Sequence, residues 1–212
     1  SELRVFQVDV STSLSRTDAL RWSGMGEGQF RGVIAGVGSL GSALISIWSR
    51  SAWGRWDYID PDVLAPHNVV RHIGMQNQVG TPKVAIVHNH VHHILGIGDP
   101  NALPLMERAS DLGKGKVLNC LLRADLLIDA STTVQVSRNW ARADLPRGMT
   151  TFLTPSGTGS VLLVEDKQRA TRGDSLEAQY YRAIIRQEWG AWHLQAPGAS
   201  IRSGASCRDV SA

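Results

Sequence analysis

The sequence predicts an α/β protein with a mostly parallel sheet and helices on both of its faces. An apolar run at residues 33–35 leads into the glycine-rich segment 36–41, and apolar residues then recur at helical spacing over residues 39–51. Residues 55–59 follow as a second strand. Because parallel strands need a crossover connection, these segments form a βαβ unit. We therefore expect a Rossmann-like fold with a nucleotide-binding βαβ unit.

The composition is that of an ordinary globular chain. Of 212 residues, 42% are hydrophobic and 19% are charged, and the formal net charge is only +3. No apolar run reaches the length of a membrane span, and no dense lysine–arginine run with interleaved aromatic residues is present. We therefore expect neither a membrane nor a nucleic-acid partner.

We divide the chain into an N-terminal extension, residues 1–30, and one domain, residues 31–212. The sequence starts at Ser1 and ends in a polar stretch, so we expect it to be a fragment of a longer protein. It contains no secretory signal and two distant cysteines, Cys120 and Cys207. This cysteine usage indicates free thiols in a reducing compartment, and we expect a cytoplasmic protein.

The segment Gly36-Val37-Gly38-Ser39-Leu40-Gly41 has the spacing of a phosphate-binding turn. The first glycine allows a tight turn, the second lets the backbone approach a phosphate, and the third lets helix and strand pack closely. The helix that follows offers N–H groups and the positive end of its dipole to an anion. Asp60, at the end of the second strand, is placed to bind ribose hydroxyls. These features predict a nucleotide site; the alternative is a glycine-rich turn without a ligand.

Two cations follow this unit. Arg71 lies in the loop-rich stretch 61–80, and Lys83 lies in the first turn of a helix that Thr81 and Pro82 open as cap and first residue. A cation there interacts unfavourably with the helix dipole, at a cost of a few tenths to about 1 kcal/mol. A bound phosphate nearby would make the position of the cation favourable. The alternative is that both side chains are solvated, and we expect neither to need burial. Because they occur together after a phosphate loop, we assign both to the phosphates.

Residues 124–130 form a buried strand that carries Asp129 near its end, followed by Ser131 and Thr132. Ligands of open α/β sheets bind at such strand ends. Asp129 either joins that site or caps a helix at residues 133–142. The later segments predict two strands and an amphipathic helix: residues 149–154, 160–165 and 174–188.

Several short motifs occur in one order along the chain. They are the glycine motif, Asp60-Pro61-Asp62-Val63-Leu64, Asn68-Val69-Val70-Arg71-His72, Val79-Gly80-Thr81-Pro82-Lys83 and Asp125-Leu126-Leu127-Ile128-Asp129. Together they resemble the ThiF/MoeB/ubiquitin-activating superfamily of adenylating enzymes. Residues 174–212 resemble, more weakly, the activating domain of bacterial fusion proteins in which a conjugating domain precedes the activating one.

The resemblance implies ATP- and Mg²⁺-dependent adenylation of the C-terminal carboxylate of a ubiquitin-like or sulfur-carrier-like protein, followed by transfer to a cysteine thiol. It also implies a homodimer and a conjugating domain in the same or another chain. The family's functional positions map onto this sequence as follows: Gly36, Gly38 and Gly41 at the phosphates, Asp60 at the ribose, Asn68, Arg71 and Lys83 at the phosphates, Asp129 at the metal, and Cys207 as the nucleophile.

The sequence departs from the family pattern in places. Thr132 stands where family members usually carry a magnesium-binding aspartate. The arginine that usually reaches a neighbouring subunit has no clear match among Arg4, Arg16 and Arg21. Cys207 has an alternative as an incidental loop thiol, and we expect Cys120 to be a packed core residue.

Two other functions remain open at this point. A nicotinamide-dependent oxidoreductase also fits the glycines and Asp60, but it does not need Arg71 and Lys83 for a triphosphate. A non-catalytic module of the same fold is kept open by Thr132, because a weakened metal site would remove turnover.

Overall fold

The computed structural model describes residues 10, 12–26, 30–96, 102–154, 157, 159–188 and 190–194. The helices are α1 (Arg16–Trp22), α2 (Ser39–Arg50), α3 (Lys83–Leu95), α4 (Gly115–Leu122), α5 (Val134–Arg142) and α6 (Gly173–Ile185). The strands are β1 (Arg31–Ala35), β2 (Arg55–Ile59), β3 (Pro104–Leu105), β4 (Leu126–Asp129), β5 (Gly148–Leu153) and β6 (Ser160–Val164). Single 3-10 turns cover Pro66–Asn68, Gln76–Gln78 and Ala191–Leu194.

The six strands form one sheet in the order β3-β2-β1-β4-β5-β6. All neighbours are parallel except β5 and β6, which are antiparallel. The chain first builds outward from β1 to β3 and then returns to place β4 on the other side of β1. The carboxyl ends of β1 and β4 therefore form a topological switch point, where ligands bind in open α/β sheets. The predicted mostly parallel Rossmann-like sheet is confirmed.

Helices cover both faces of the sheet, as predicted. Val33 and Ile34 of β1 are fully buried on opposite faces, which explains why the strand is a continuous apolar run. Ile34 belongs to the cluster formed with α2 and α3, and Val33 belongs to the cluster formed with α4 and α5. The βαβ unit thus lies in the middle of a three-layer domain.

Two predicted helix starts differ from the structure. The residue before α3 is Pro82, whose carbonyl accepts from the N–H of Ile86 at 3.2 Å, so Thr81 is not the cap and Lys83 is the first helical residue. The cap position of α5 is Thr133, so the alternative role of Asp129 as the cap of that helix is wrong.

The described part of the N-terminal extension packs on the domain through α1. The guanidinium of Arg16 donates to the carbonyl of Ala52 at 2.9 Å and to that of Gly54. Ala19 is buried with Ala52 and Leu95. Arg16 thus anchors α1 to the turn after α2. The boundary at residue 30 stays a prediction. In the part of the chain that the structure describes, no helix is both long and apolar enough to cross a membrane.

A buried ion pair joins β6 and α6 to the end of α5. Glu165 accepts from the backbone N–H of Gly148 at 2.8 Å and from that of Gly173 at 2.8 Å. Its Oε2 also accepts from Nε of Arg169 at 2.7 Å, and the two side chains are only 4% and 10% exposed. Arg169 in turn donates to the carbonyl of Trp140 at 3.0 Å, near the end of α5. One carboxylate therefore holds β5, α5 and α6 together.

We predict that Glu165→Gln lowers the free energy of unfolding by about 3–5 kcal/mol, since removing one charge of a buried pair leaves the other uncompensated. The measurement is urea unfolding followed by circular dichroism. The matched control is Glu177→Gln, which breaks the pair with Arg138, a side chain that is 49% exposed. The control is expected to change stability much less, because solvent screens exposed pairs. Equal losses in both variants would contradict the structural role of Glu165.

Candidate active site

The glycine loop connects β1 to α2 and needs its glycines for two different reasons. Gly36 has φ +82°, and a Cβ built on it would lie 2.4 Å from the Cα of Ser131. A Cβ on Gly41 would lie 1.9 Å from the carbonyl oxygen of Gly36. Gly38 precedes α2 and has no side chain that could cap its first turn, which leaves that helix end suited to an anion.

Asp60 fixes the glycine loop to the end of β2. Its carboxylate is 5% exposed. One oxygen accepts from the N–H of Val37 at 2.9 Å and the other from the N–H of Asp62 at 2.9 Å. Burial raises the pKa of Asp60, and the charge of Lys83 and these N–H groups act in the opposite direction. A carboxylate oxygen can accept more than one hydrogen bond, so the ribose role of Asp60 stays a prediction.

Lys83 is buried, and the expectation that it needs no burial is wrong. Its side chain is 3% exposed, and Nζ lies 3.2 Å from Oδ2 of Asp62. The backbone N–H of Lys83 also donates to the carbonyl of Asp62 at 3.0 Å. The alternative of a solvated lysine is therefore wrong. The carboxylate of Asp62 supplies the charge that compensates for burying the ammonium group. The unfavourable helix dipole at this position is therefore offset within the chain.

Asn68 and Arg71 lie on the loop between β2 and α3, at the same end of the sheet. Asn68 is 4% exposed, and its Oδ1 accepts from the N–H of Ala65 at 3.1 Å. Arg71 is half-buried, and Nη1 donates to the carbonyl of His67 at 3.3 Å. Asn68 thus shapes this loop. The phosphate roles assigned to both residues stay predictions.

His72 is a site residue that sequence reasoning missed. Its ring is 7% exposed, and Nε2 lies 2.9 Å from the carbonyl oxygen of Val37 in the glycine loop. Nδ1 accepts from the N–H of Gly74 at 2.8 Å. Burial lowers the pKa of His72, and the charge of Lys83 acts in the same direction. The residue type alone carried no signal; the only clue was its place directly after Arg71 in the motif.

Asp129 and the glycine loop meet at the ends of β4 and β1. Asp129 is 3% exposed, and its Oδ1 accepts from the N–H of Ser131 at 2.9 Å and from Oγ of Ser131 at 2.6 Å. Burial raises the pKa of Asp129 to about 6. Ser131 is the residue against which Gly36 packs. Thr132 follows with φ +58°, a conformation uncommon for a side chain of this type.

The donor set at Asp129 fits a Mg²⁺ ion only in part. A carboxylate oxygen is the ligand type that Mg²⁺ prefers, and Mg²⁺ commonly takes its remaining ligands from waters and substrate phosphates. Among the described residues, no group of three or more His, Cys, Asp or Glu side chains could hold a metal by itself. A magnesium ion at Asp129 would therefore depend on a bound nucleotide.

The two cysteines have separate outcomes. Cys120 is buried, as expected, and its thiol donates to Oδ2 of Asp57 at 3.5 Å. Burial and the neighbouring carboxylate of Asp57 raise the pKa of Cys120 to about 12, so this thiol is not a nucleophile at neutral pH. Cys207, the predicted nucleophile, lies outside the described residues, and its role stays a prediction.

Comparisons with known proteins agree with this architecture. The sequence pattern of the ThiF family matches residues 28–141, more than half of the chain. Escherichia coli MccB with succinimide has 17% identity and a TM-score of 0.51, over 82% of this chain and 51% of MccB. The structure of MccB alone has 17% identity to this chain and a TM-score of 0.50, over 66% of this chain and 38% of MccB.

A third structural match is the E. coli tRNA N6-threonylcarbamoyladenosine dehydratase TcdA, with 18% identity and a TM-score of 0.48, over 62% of this chain and 54% of TcdA. The chain thus spans about half, or less, of the length of these proteins. At such identities the likeness concerns the fold alone. No curated protein sequence matches the chain significantly.

We predict that Gly41→Ala destabilises the domain by about 3 kcal/mol or more, because the new Cβ meets a backbone oxygen that cannot move without displacing the loop. The control is Gly115→Ala at the start of α4, where an added Cβ meets nothing within 4 Å. The free energy of unfolding of the control is expected to rise by about 0.5–1 kcal/mol, because alanine has a better helix propensity than glycine. Thermal unfolding measures both, and a neutral Gly41→Ala would refute the close packing of the loop.

We predict that Asp129→Asn stabilises the protein at pH 7.5 by about 2–3 kcal/mol, because each unit by which the folded pKa is raised corresponds to about 1.4 kcal/mol. An acid whose folded pKa is raised contributes stability that is fully present below its unfolded pKa, near 4, and lost as pH rises through about 6. The asparagine keeps an oxygen for Ser131 and has no charge to bury. Its advantage should therefore vanish near pH 4.

Thermal unfolding between pH 4 and 8 measures this difference, with Asp166→Asn as a control of opposite sign. The pKa of Asp166 is lowered by backbone N–H donors, first that of Thr171. Its contribution is therefore present above pH 4 and lost as pH falls, so the control should be less stable than the wild type at pH 7.5. A pH-independent difference for Asp129→Asn would contradict the raised pKa.

Proposed function

The chain belongs to the ThiF family, and on this premise we propose that it adenylates a carboxylate with ATP. The substrate we propose is the C-terminal carboxylate of a ubiquitin-like or sulfur-carrier-like protein. A carboxylate oxygen attacks the α-phosphorus, the bond to the bridging oxygen of the β-phosphate breaks, and pyrophosphate leaves with that electron pair. The product is an acyl-adenylate.

The observation that carries this proposal is the convergence of three chain segments at the switch point of the sheet. They are the glycine loop with α2, the end of β4 with Asp129, and the loop that leads through Arg71 to Lys83. Adenylation places negative charge on the transferring phosphate and the leaving pyrophosphate, so preorganised cations and N–H groups favour its transition state. We assign this role to Arg71 and Lys83.

Lys83 has a defined way to take part. Its ammonium group is already desolvated and paired with Asp62, so a phosphate oxygen would exchange with, or add to, an existing partner. Because the charge is not hydrated beforehand, its interaction with a phosphate is stronger than that of a solvated lysine. Arg71 adds a guanidinium whose forked geometry suits phosphate oxygens.

Magnesium would be held by Asp129 together with nucleotide oxygens, and it would neutralise phosphate charge there. Asp129 must be ionised for this purpose. With a pKa of about 6 it is largely ionised at pH 7.5, and a bound cation would favour that form further. MccB, whose fold resembles that of this chain, has been crystallised with AMPCPP and MccA. That is a property of MccB, and it is compatible with the ATP that we propose here.

The later steps belong to the same proposal. We propose that Cys207 takes the acyl group as a thioester, that the protein works as a homodimer in the cytoplasm, and that a conjugating domain in the same or another chain receives the product. A nicotinamide-dependent oxidoreductase is less well supported, because it does not need Arg71 and the buried Lys83 for a triphosphate. A non-catalytic module would bind its partner without turnover.

The first test is calorimetric titration with ATP, with and without Mg²⁺, and with NAD as the control ligand. We predict magnesium-dependent ATP binding and no heat with NAD. Arg71→Gln and Lys83→Met should each weaken ATP binding about tenfold or more, the range expected for hydrogen bonds to charged groups.

Because Lys83→Met preserves most of the buried aliphatic stem, we expect the variant to fold. Circular dichroism verifies this before the titration. The matched control is Lys114→Met, which removes a surface lysine paired with Glu107 and should bind ATP like the wild type. Binding of NAD in place of ATP would favour the oxidoreductase. ATP binding unchanged in both site variants would refute the phosphate roles of Arg71 and Lys83.

A further inference from the structure

We propose that His72 is a positioning residue that sets the geometry of the glycine loop for the nucleotide. This inference deepens the proposed function and rests on it for the identity of the ligand. Its physical basis is a bridge between two loops. The His72 ring joins the carbonyl of Val37, in the middle of the glycine motif, to the N–H of Gly74, on the loop that carries Arg71.

The hydrogen-bond pattern fixes the protonation state of the ring. A backbone N–H can only donate, so Nδ1 of His72 must accept from Gly74 and carries no proton. Nε2 then holds the proton and donates to the carbonyl of Val37. The bridge therefore requires the neutral imidazole in one tautomer. The imidazolium would donate from both nitrogens and would leave Gly74 without its acceptor.

The two peptide groups that flank Val37 are each held by one hydrogen bond. Its N–H donates to Asp60 and its carbonyl accepts from His72, both at 2.9 Å. Asp60 ties the loop to the end of β2, and His72 ties it to the segment before α3. With both contacts present, the Gly36–Val37 and Val37–Gly38 peptides are each restrained against rotation, and the amides of the loop keep one orientation.

The surroundings leave His72 little freedom to adopt another role. The ring is 7% exposed and packs beside Gly74, where an added Cβ would lie 3.0 Å from Nδ1. The charged groups on the elements packed around it are Lys83 at the start of α3, and Asp60 and Asp62 after β2. Burial lowers the pKa of His72, the hydrogen bond to Val37 acts in the opposite direction, and the charge of Lys83 lowers the pKa further. His72 therefore acts through the backbone that it holds and not as an acid or base.

The test compares His72→Leu, which fills the space without hydrogen bonds, with His72→Gln, whose amide can donate to Val37 and accept from Gly74. Hydrogen–deuterium exchange of the intact chain reports on peptides covering residues 35–42 and 72–76 without any ligand. We expect His72→Leu to speed exchange in both peptides about tenfold or more, as for the loss of a buried hydrogen bond. His72→Gln should restore most of the protection.

The second readout is ATP binding in the presence of Mg²⁺ between pH 5 and 8. Wild-type affinity should fall at low pH more steeply than that of His72→Gln, because only histidine loses its acceptor on protonation. His90→Gln is the control. His90 is also hydrogen-bonded, to the hydroxyl of Ser46 at 2.9 Å, and burial lowers its pKa as well, but it lies on α3 and contacts α2 instead of the glycine loop. That variant should keep the wild-type pH profile.

The outcomes separate the two proposals. If the wild type does not bind ATP, the proposed function fails, and the exchange experiment alone decides the role of His72. If ATP binds but His72→Leu leaves both exchange and affinity unchanged, the positioning role is overturned while the proposed function stands. Equal pH profiles for the wild type and His72→Gln would also overturn it.

Discussion

The buried carboxylate of Asp60 is the constraint on which the rest of the site depends. It lies at the end of β2, is 5% exposed, and binds the N–H of Val37 and that of Asp62. One side chain thereby orients the glycine loop on one side and the start of the next loop on the other. Buried carboxylates need such partners, because an unpaired charge in the interior is strongly unfavourable. The loop geometry and the ionisation of Asp60 therefore support each other.

The placement of Asp62 and Lys83 follows from that arrangement. Once Asp60 fixes the turn after β2, Asp62 is brought to the first residue of α3, where its carbonyl and its carboxylate both bind Lys83. A cation at the amino end of a helix is unfavourable alone, and the neighbouring anion removes that penalty. The result is a buried ammonium group paired with a partly exposed carboxylate, within a site that we assign to phosphates. Such a pair is stable without ligand and can still respond to one.

The far half of the sheet depends on a different buried pair. Glu165 and Arg169 join β5, β6 and α6 to the end of α5, and Arg172 donates to the carbonyl of Ala141 at 2.7 Å. These arginines satisfy carbonyl groups at the end of a helix, which would otherwise lack partners. The antiparallel edge of the sheet is therefore held by a charge pair that is separate from the one formed by Asp62 and Lys83.

The sequence by itself determined the βαβ unit, the order of motifs and the site's location at the strand ends. These features are local: apolar periodicity, glycine spacing and a carboxylate at a strand end need no distant partner to be recognised. The carboxyl ends of β1, β2 and β4 meet at one edge of the sheet. The sequence alone therefore places Gly36, Asp60 and Asp129 close together. The strand predicted at residues 124–130, which the structure has at Leu126–Asp129, and the core position of Cys120 were predictable for the same reason.

The tertiary structure alone decided which polar groups face one another. Lys83 was expected to need no burial, yet it is buried beside Asp62, which lies 21 positions earlier in the chain. His72 meets Val37 across 35 positions. Asp57, a carboxylate inside a strand, is fully buried because Arg31 on the neighbouring strand binds it at 2.8 Å. A sequence pattern records which residues are apolar, but the pairing of buried charges depends on distances that only the folded chain creates.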